Sequence, residues 1–155
     1  MAYTLDSTDK KILNILQNEG RITTKALAER LNLTTTPVFE RIKRLEKNGI
    51  ISKYAGILNE KLIDRKLTVF ISISIKDHAR TYVENFLKEM ESIPEVMEVY
   101  HIAGNYDFLV KVMMKDMEAY QKFVLNRLSV INNIDHVQSS FVLTKNKYTT
   151  AFELS

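Results

Sequence analysis

The residues equipped for chemistry in this chain are few, and their spacing excludes most reactions. The 155 residues contain three histidines, His78, His101 and His136, and no cysteine. The histidines stand far apart, without the HExxH spacing that brings two imidazoles onto one helix face, so no metal site is expected. The absence of thiols excludes disulfides, cysteine-ligated zinc and thiolate nucleophiles together, and suits a reducing compartment. Phosphate-cradling and dinucleotide glycine patterns are missing, nucleophile motifs are missing, and the carboxylates are scattered over helix surfaces. Neither an enzyme nor a resident cofactor is expected.

Two stretches do carry recognisable chemistry. In AGNYD, Gly104 and Asn105 either simply turn the chain, or leave backbone N–H groups free to hold a carboxylate while Asp107 accepts from an ammonium. In LNLTTTPVFERIKRL, residues 31–45, hydroxyl side chains and a proline lead into a basic helix. Thr34 is placed to cap it, Pro37 is tolerated in its first turn, and Gly49 closes it after Lys47 and Asn48. At about 100° per residue, Val38, Ile42 and Leu45 share the inward stripe. Thr36, Glu40 and Lys43 stand opposite, with Arg41 and Arg44 on the flanks and Phe39 at the boundary. Such a face is either simply solvated or made to enter an anionic groove.

The neighbouring elements decide between those two. DSTDKKILNILQNEG predicts a helix capped by Asp6 and stopped by Gly20, with Ile12, Leu13, Ile15 and Leu16 at helical spacing. RITTKALAERLNL predicts a short second helix capped by Thr23 or Thr24, with Leu27, Ala28 and Leu31 inside. Only Asn32 and Leu33 separate it from the Thr34 cap. Two short helices joined so tightly and braced by a third form a helix-turn-helix, whose last helix enters the major groove of double-stranded DNA. Charge agrees. Residues 1–66 carry 13 basic and 8 acidic side chains, a net +5, whereas residues 67–155 carry 9 and 11, a net −2. A basic module of this kind fits a polyanion better than a protein partner.

Residues 51–58 alternate weakly and predict a strand, followed by a linker over 59–66. Thereafter strands and helices alternate: TVFISISIK, the helix ARTYVENFLKEMES, the strands VMEVYHIA and YDFLVKVMMK parted by Gly104 and Asn105, the helix DMEAYQKFVLNRLSVI, and the strand HVQSSFVLT. The expected fold class is α+β: a helix-turn-helix, winged-helix-like domain over 1–58, a ferredoxin-like βαββαβ domain over 67–148, and a tail over 149–155. Helices covering one face of that sheet leave the other open. Val69, Ile71, Ile73 and Ile75 face the helices, while Phe70, Ser72 and Ser74, with Leu109, Lys111 and Met113, form a half-apolar open face. A symmetric dimer through that face is expected, which also suits paired half-sites. No apolar run reaches the roughly 20 residues a bilayer requires and no secretory leader is visible, so no membrane role is expected and the location is expected to be cytoplasmic.

With these motifs in place, the sequence resembles the Lrp/AsnC family of transcription regulators, the feast/famine regulatory proteins. The resemblance spans nearly the whole chain and rests on LDSTDKKILNILQNEGRITTKALAERLNLTTTPVFERIKRLEKNGIISKYAGILN and AGNYDFLVKV, in the family's order and spacing. It implies an operator-binding N-terminal module and a C-terminal dimerisation domain that responds to a small-molecule effector, an amino acid, and assembles further to octamers. The expected DNA-binding residues are Lys25, Thr35, Thr36, Glu40, Arg41, Lys43 and Arg44, with phosphate contacts from Lys25 and Arg41 and base reading by Thr36, Glu40 and Lys43. The resemblance also favours the binding role for AGNYD. Its expected effector residues are Gly104, Asn105 and Asp107, walled by Tyr100, Gln138 and Ser140 at a subunit contact.

Overall fold

The computed structural model of the chain describes residues 3–155. They form two compact units, one built from the chain up to Ile57 together with Lys147–Ser155, the other Leu58–Asn146.

The first unit contains α1 (Ser7–Asn18), α2 (Thr24–Arg30) and α3 (Thr35–Lys47). Its helix starts follow local capping chemistry. The Asp6 side chain accepts from the Asp9 N–H, and the Asp9 side chain accepts from the Asp6 N–H, closing a reciprocal box at the start of α1. Thr23 accepts from the Ala26 N–H and starts α2. Thr34 holds the capping position of α3 but its side chain makes no capping bond, contrary to expectation. Its extended backbone suffices to start a helix that tertiary packing then holds. Gly49 adopts φ +70, the left-handed conformation that ends α3 without a Cβ penalty. Ile12, Leu13, Leu27, Ala28, Val38 and Leu45 form the core, and each large aliphatic side chain buried there contributes about 1.5–3 kcal/mol.

Residues 51–58 do not form the expected strand. The Ile50 and Ile51 N–H groups bond back to Leu45 O, the two isoleucines pack on the helical core, and the Tyr54 hydroxyl donates to Glu46 at 3.1 Å. Weak alternation makes a strand only where a neighbouring strand accepts its backbone bonds, and none does so among the described residues. Residues 150–155, expected as part of a tail, lie along α1: Leu154 packs against the same core.

The second unit runs β1 (Leu67–Ile75), α4 (Arg80–Glu91), β2 (Val96–His101), β3 (Phe108–Met114), α5 (Met117–Asn126) and β4 (Ile134–Phe141). Its antiparallel sheet has the order β2-β3-β1-β4. Val69, Ile71, Ile73 and Ile75 are buried against α4 and α5 with Phe86, Met90, Tyr120 and Phe123, as the strand's alternation requires. Phe86 and Phe108 anchor this core with ring centroids 4.5 Å apart.

Three details differ from expectation. Strands β2 and β3 are parted by residues 102–107 rather than by Gly104 and Asn105 alone, although the Ile102 N–H still donates to Asp107 O at 2.8 Å across the connection. The helix expected over residues 116–131 ends at Asn126 and gives way to a 3-10 turn at Leu128–Val130; it buries Tyr120 and Phe123 and leaves Met117 exposed. Met113 lies on the open side of the sheet with Lys111 and Leu109, as its parity requires, but is buried there rather than exposed.

Candidate DNA-reading helix and effector turn

The helix α3 presents Thr35, Thr36, Glu40, Lys43 and Arg44 as exposed side chains, and Lys25 is exposed on α2. Lys43 lies with its Nζ 5.7 Å from the centre of the exposed Phe39 ring and 3.4 Å from Glu46. Both contacts are at the surface, so they orient the ammonium without hiding it.

Arg41 is differently placed. Its Nη1 donates to Asp6 Oδ2 at 2.5 Å and to Asp9 Oδ1 at 2.7 Å, and Asp9 is 1% exposed. Tyr3 donates to Asp9 Oδ2 at 2.8 Å, and Arg44 stands 3.7 Å from Asp9. The carboxylates of the α1 cap therefore fix the guanidinium of α3. For Asp6, the Asp9 N–H and then the Arg41 guanidinium hold the carboxyl below its ordinary range. For Asp9, burial pushes upward, but hydrogen bonds from Tyr3 and Arg41 outweigh it and the net direction is down. Helical spacing alone puts Arg41 on the outer flank of α3 and does not reveal this clamp. The Asp6-x-x-Asp9 spacing was its only visible signal.

In the second unit, the turn between β2 and β3 is tied down through Asp107. Its Oδ2 accepts from the Ile75 N–H at 2.8 Å, its Oδ1 meets His78 Nε2 at 2.9 Å, and its own N–H donates to Ile73 O at 3.0 Å. The Ile75 N–H, with His78, holds the carboxyl below its ordinary range. Gly104 has φ +154, and a Cβ built there meets no atom within 4 Å, so the glycine answers to backbone conformation rather than crowding.

The strand register places the remaining candidates. Tyr100, Leu109, Ser72 and Gln138 lie in one row across the open face, and Glu98, Lys111, Phe70 and Ser140 in the next. Tyr100 and Gln138 are thus three strand spacings apart, roughly 14 Å. The Tyr100 hydroxyl donates to Glu98 at 2.6 Å, and Lys111 donates to the other oxygen of Glu98 at 2.6 Å. Tyr106 links the turn to β4 by donating to Gln138 Oε1, and its ring stacks on His136 at 6.0 Å. Gly104, Asn105, Asp107 and Gln138 are therefore brought toward one end of the face, whereas Tyr100 stands on the opposite edge strand from Gln138 and Ser140. His78 and Tyr106 carry no signal in the sequence, because their partners lie 29 and 32 residues away. A 390 Å³ cavity in this unit lies elsewhere, lined by residues that include Lys76, Leu128, Asn133 and Val137.

The winged helix-turn-helix DNA-binding family model matches residues 5–52, and the Lrp/AsnC ligand-binding domain model matches residues 68–152. The chain belongs to the Lrp/AsnC family. It is 35% identical over 150 residues to the DNA-binding transcriptional activator DecR of Escherichia coli K12, covering 97% of this chain and 99% of DecR. It is 34% identical over 143 residues to the leucine-responsive regulatory protein of the same strain, covering 92% and 87%. Among solved structures, the transcriptional regulator NMB0573 of Neisseria meningitidis in complex with L-methionine superposes with a TM-score of 0.92 at 38% identity, covering 96% of each chain. As an Lrp/AsnC regulator, the chain joins a DNA-binding helix-turn-helix to a ligand-binding domain. No helix among the described residues is long and apolar enough to cross a membrane.

Proposed function

We propose that this Lrp/AsnC regulator reads its operator with the outer face of α3 and adjusts its assembly or DNA affinity to an amino acid held at the 104–107 turn. The observation that carries the DNA half is the exposed row Thr36, Glu40 and Lys43 on a helix whose opposite stripe is buried. Thr35 and Thr36 reach base edges from the first turn, Glu40 and Lys43 from the second and third, and Lys25 and Arg44 meet phosphates. Arg41 meets phosphate only while anchored by Asp6 and Asp9, so its main role is to hold α3 on α1.

For the effector, backbone N–H groups near Gly104 and Asn105 take the carboxylate, and Asp107 takes the ammonium. Because Asp107 Oδ1 already holds His78, the ammonium enters in exchange for that imidazole. The separation of Tyr100 from Gln138 and Ser140 within one chain supports a pocket completed by a second copy, with Tyr100 or the Gln138 and Ser140 pair supplied across the contact. The names of two relatives, one leucine-responsive and one solved with L-methionine, support an amino acid. A symmetric dimer through the open sheet face, assembling to an octamer, would place the two helices on half-sites in the cytoplasm. A thermal-shift screen over the amino acids, paired with light scattering, tests this. One amino acid should raise the midpoint and change the mass, and a monomer indifferent to every amino acid would refute it.

A further inference from the structure

The match to the ligand-binding domain runs to residue 152, yet the chain from Lys147 onward belongs to the same compact unit as the DNA-reading helices. The contact is made by paired amide bonds. Asn14 donates through Nδ2 to Leu154 O at 3.0 Å and accepts from the Leu154 N–H at 3.3 Å. Gln17 donates through Nε2 to Phe152 O at 3.0 Å and accepts from the Phe152 N–H at 2.6 Å. Two carboxamides on α1 thus serve Phe152 and Leu154 as the edge of a strand would, reading alternate residues of an extended segment. Lys10 Nζ adds a bond to the Ser155 oxygen. Lys10, Asn14 and Gln17 lie at i, i+4 and i+7, one stripe of the helix. Leu154 inserts beside them into the helical core, next to a 690 Å³ groove lined in part by Leu13, Leu16, Ile51 and Tyr54.

The adjoining stripe of α1 carries Asp9, Ile12 and Leu13, and Asp9 with the cap residue Asp6 holds Arg41 of α3. One helix therefore grips the end of the ligand-binding chain on one stripe and the DNA-reading helix on the next. We propose that residues 150–155 are a docked strap, bound by a peptide-recognition groove on α1 of the same chain, and that its seating keeps α3 in the geometry that binds DNA. The proposal rests on the DNA-reading role of α3. The occupant is the chain's own segment, because the alternation of Phe152 and Leu154 matches the spacing of Gln17 and Asn14 and the intervening chain already delivers it there.

The test uses the full chain, which has no native cysteine to confuse cross-linking. In Asn14→Ala/Gln17→Ala, hydrogen exchange at the Phe152 and Leu154 amides should accelerate by about tenfold or more. Affinity for a duplex selected from random-sequence DNA by the wild type should fall by roughly three- to tenfold, and Asn18→Ala, a neighbour whose side-chain amide bonds to Asn14 O rather than to Phe152 or Leu154, should change neither. A Gln17→Cys/Phe152→Cys variant should show the same weakened binding. Closing its two thiols with a short bis-maleimide should then restore DNA affinity in a product of single-chain mass. Unchanged exchange, accelerated exchange with unchanged DNA affinity, or closure without rescue would overturn the proposal. A covalent two-chain product would also overturn it, by showing that the groove takes the strap of a second copy. Failure of wild-type DNA binding itself would instead strike the DNA-reading role.

Discussion

Arg41 shows how a residue with one obvious role can hold another. Its charge faces two carboxylates of α1, so Arg41→Ala leaves the buried Asp9 without its strongest cationic partner. Losing hydrogen bonds to a charged group costs about 1.5–3 kcal/mol, and the urea midpoint of the N-terminal unit should fall accordingly. The pH dependence has a definite sign. Asp6 and Asp9 have depressed folded-state values, so they contribute stability that is fully present above the ordinary carboxylate range and is lost as pH falls through the depressed values. Wild-type stability should therefore decline below about pH 4, and the Arg41→Ala midpoint should depend less steeply on acid. Equal acid slopes in the two proteins would refute the clamp. Lys43→Ala, by contrast, should leave stability nearly unchanged and cost roughly 1–3 kcal/mol of operator binding as a base contact. Anisotropy titration checks this, and an unaltered isotherm would remove Lys43 from the reading face. Much of the residue scale was legible beforehand: the Asp6 cap, the buried stripe at Val38 and Leu45, and the inward parity of β1 all follow from spacing. The His78–Asp107 and Tyr106–Gln138 pairs were not, because spacing reports neighbours along one element and these partners meet only after the sheet forms.

At the scale of elements, the sequence read best where a helix or strand stabilises itself through periodic burial. The helix-turn-helix and the βαββαβ order were of this kind. Residues 51–58 do not form a strand because a strand is a property of a pair: Ile51 packs on the helical core, while Tyr54, Ile57 and Leu58 stay exposed with no partner strand among the described residues. The β2–β3 connection differs for a related reason: a glycine and an asparagine mark the turn, but the bonds of Asp107 to Ile75 and His78, which tie it to the end of β1, are not legible from spacing. Asp107→Ala should consequently loosen this connection as well as remove an acceptor for the effector. His78→Ala separates the two effects. It leaves the Ile75 bond intact and removes the group that the ammonium must replace, so effector affinity measured by calorimetry should rise while Asp107→Ala abolishes it. Weaker binding in His78→Ala would contradict the exchange.

In the whole molecule a basic DNA-binding domain is joined to a more acidic ligand-binding domain, a division already visible in the net charges of +5 over residues 1–66 and −2 over residues 67–155. An effector shifts DNA binding only through a difference in its affinity for the DNA-competent and DNA-incompetent states, so the coupling is measurable and reciprocal. The most direct measurement is the operator isotherm by fluorescence anisotropy across a salt series, with and without the amino acid found by thermal shift, for wild type and Asp107→Ala. In wild type, the logarithm of affinity should fall linearly with the logarithm of salt, with a slope of about −0.9 per phosphate contact, and the amino acid should displace the whole isotherm. In Asp107→Ala the salt slope should persist and the displacement vanish. A salt-independent isotherm, or an amino-acid displacement that survives in Asp107→Ala, would contradict the account.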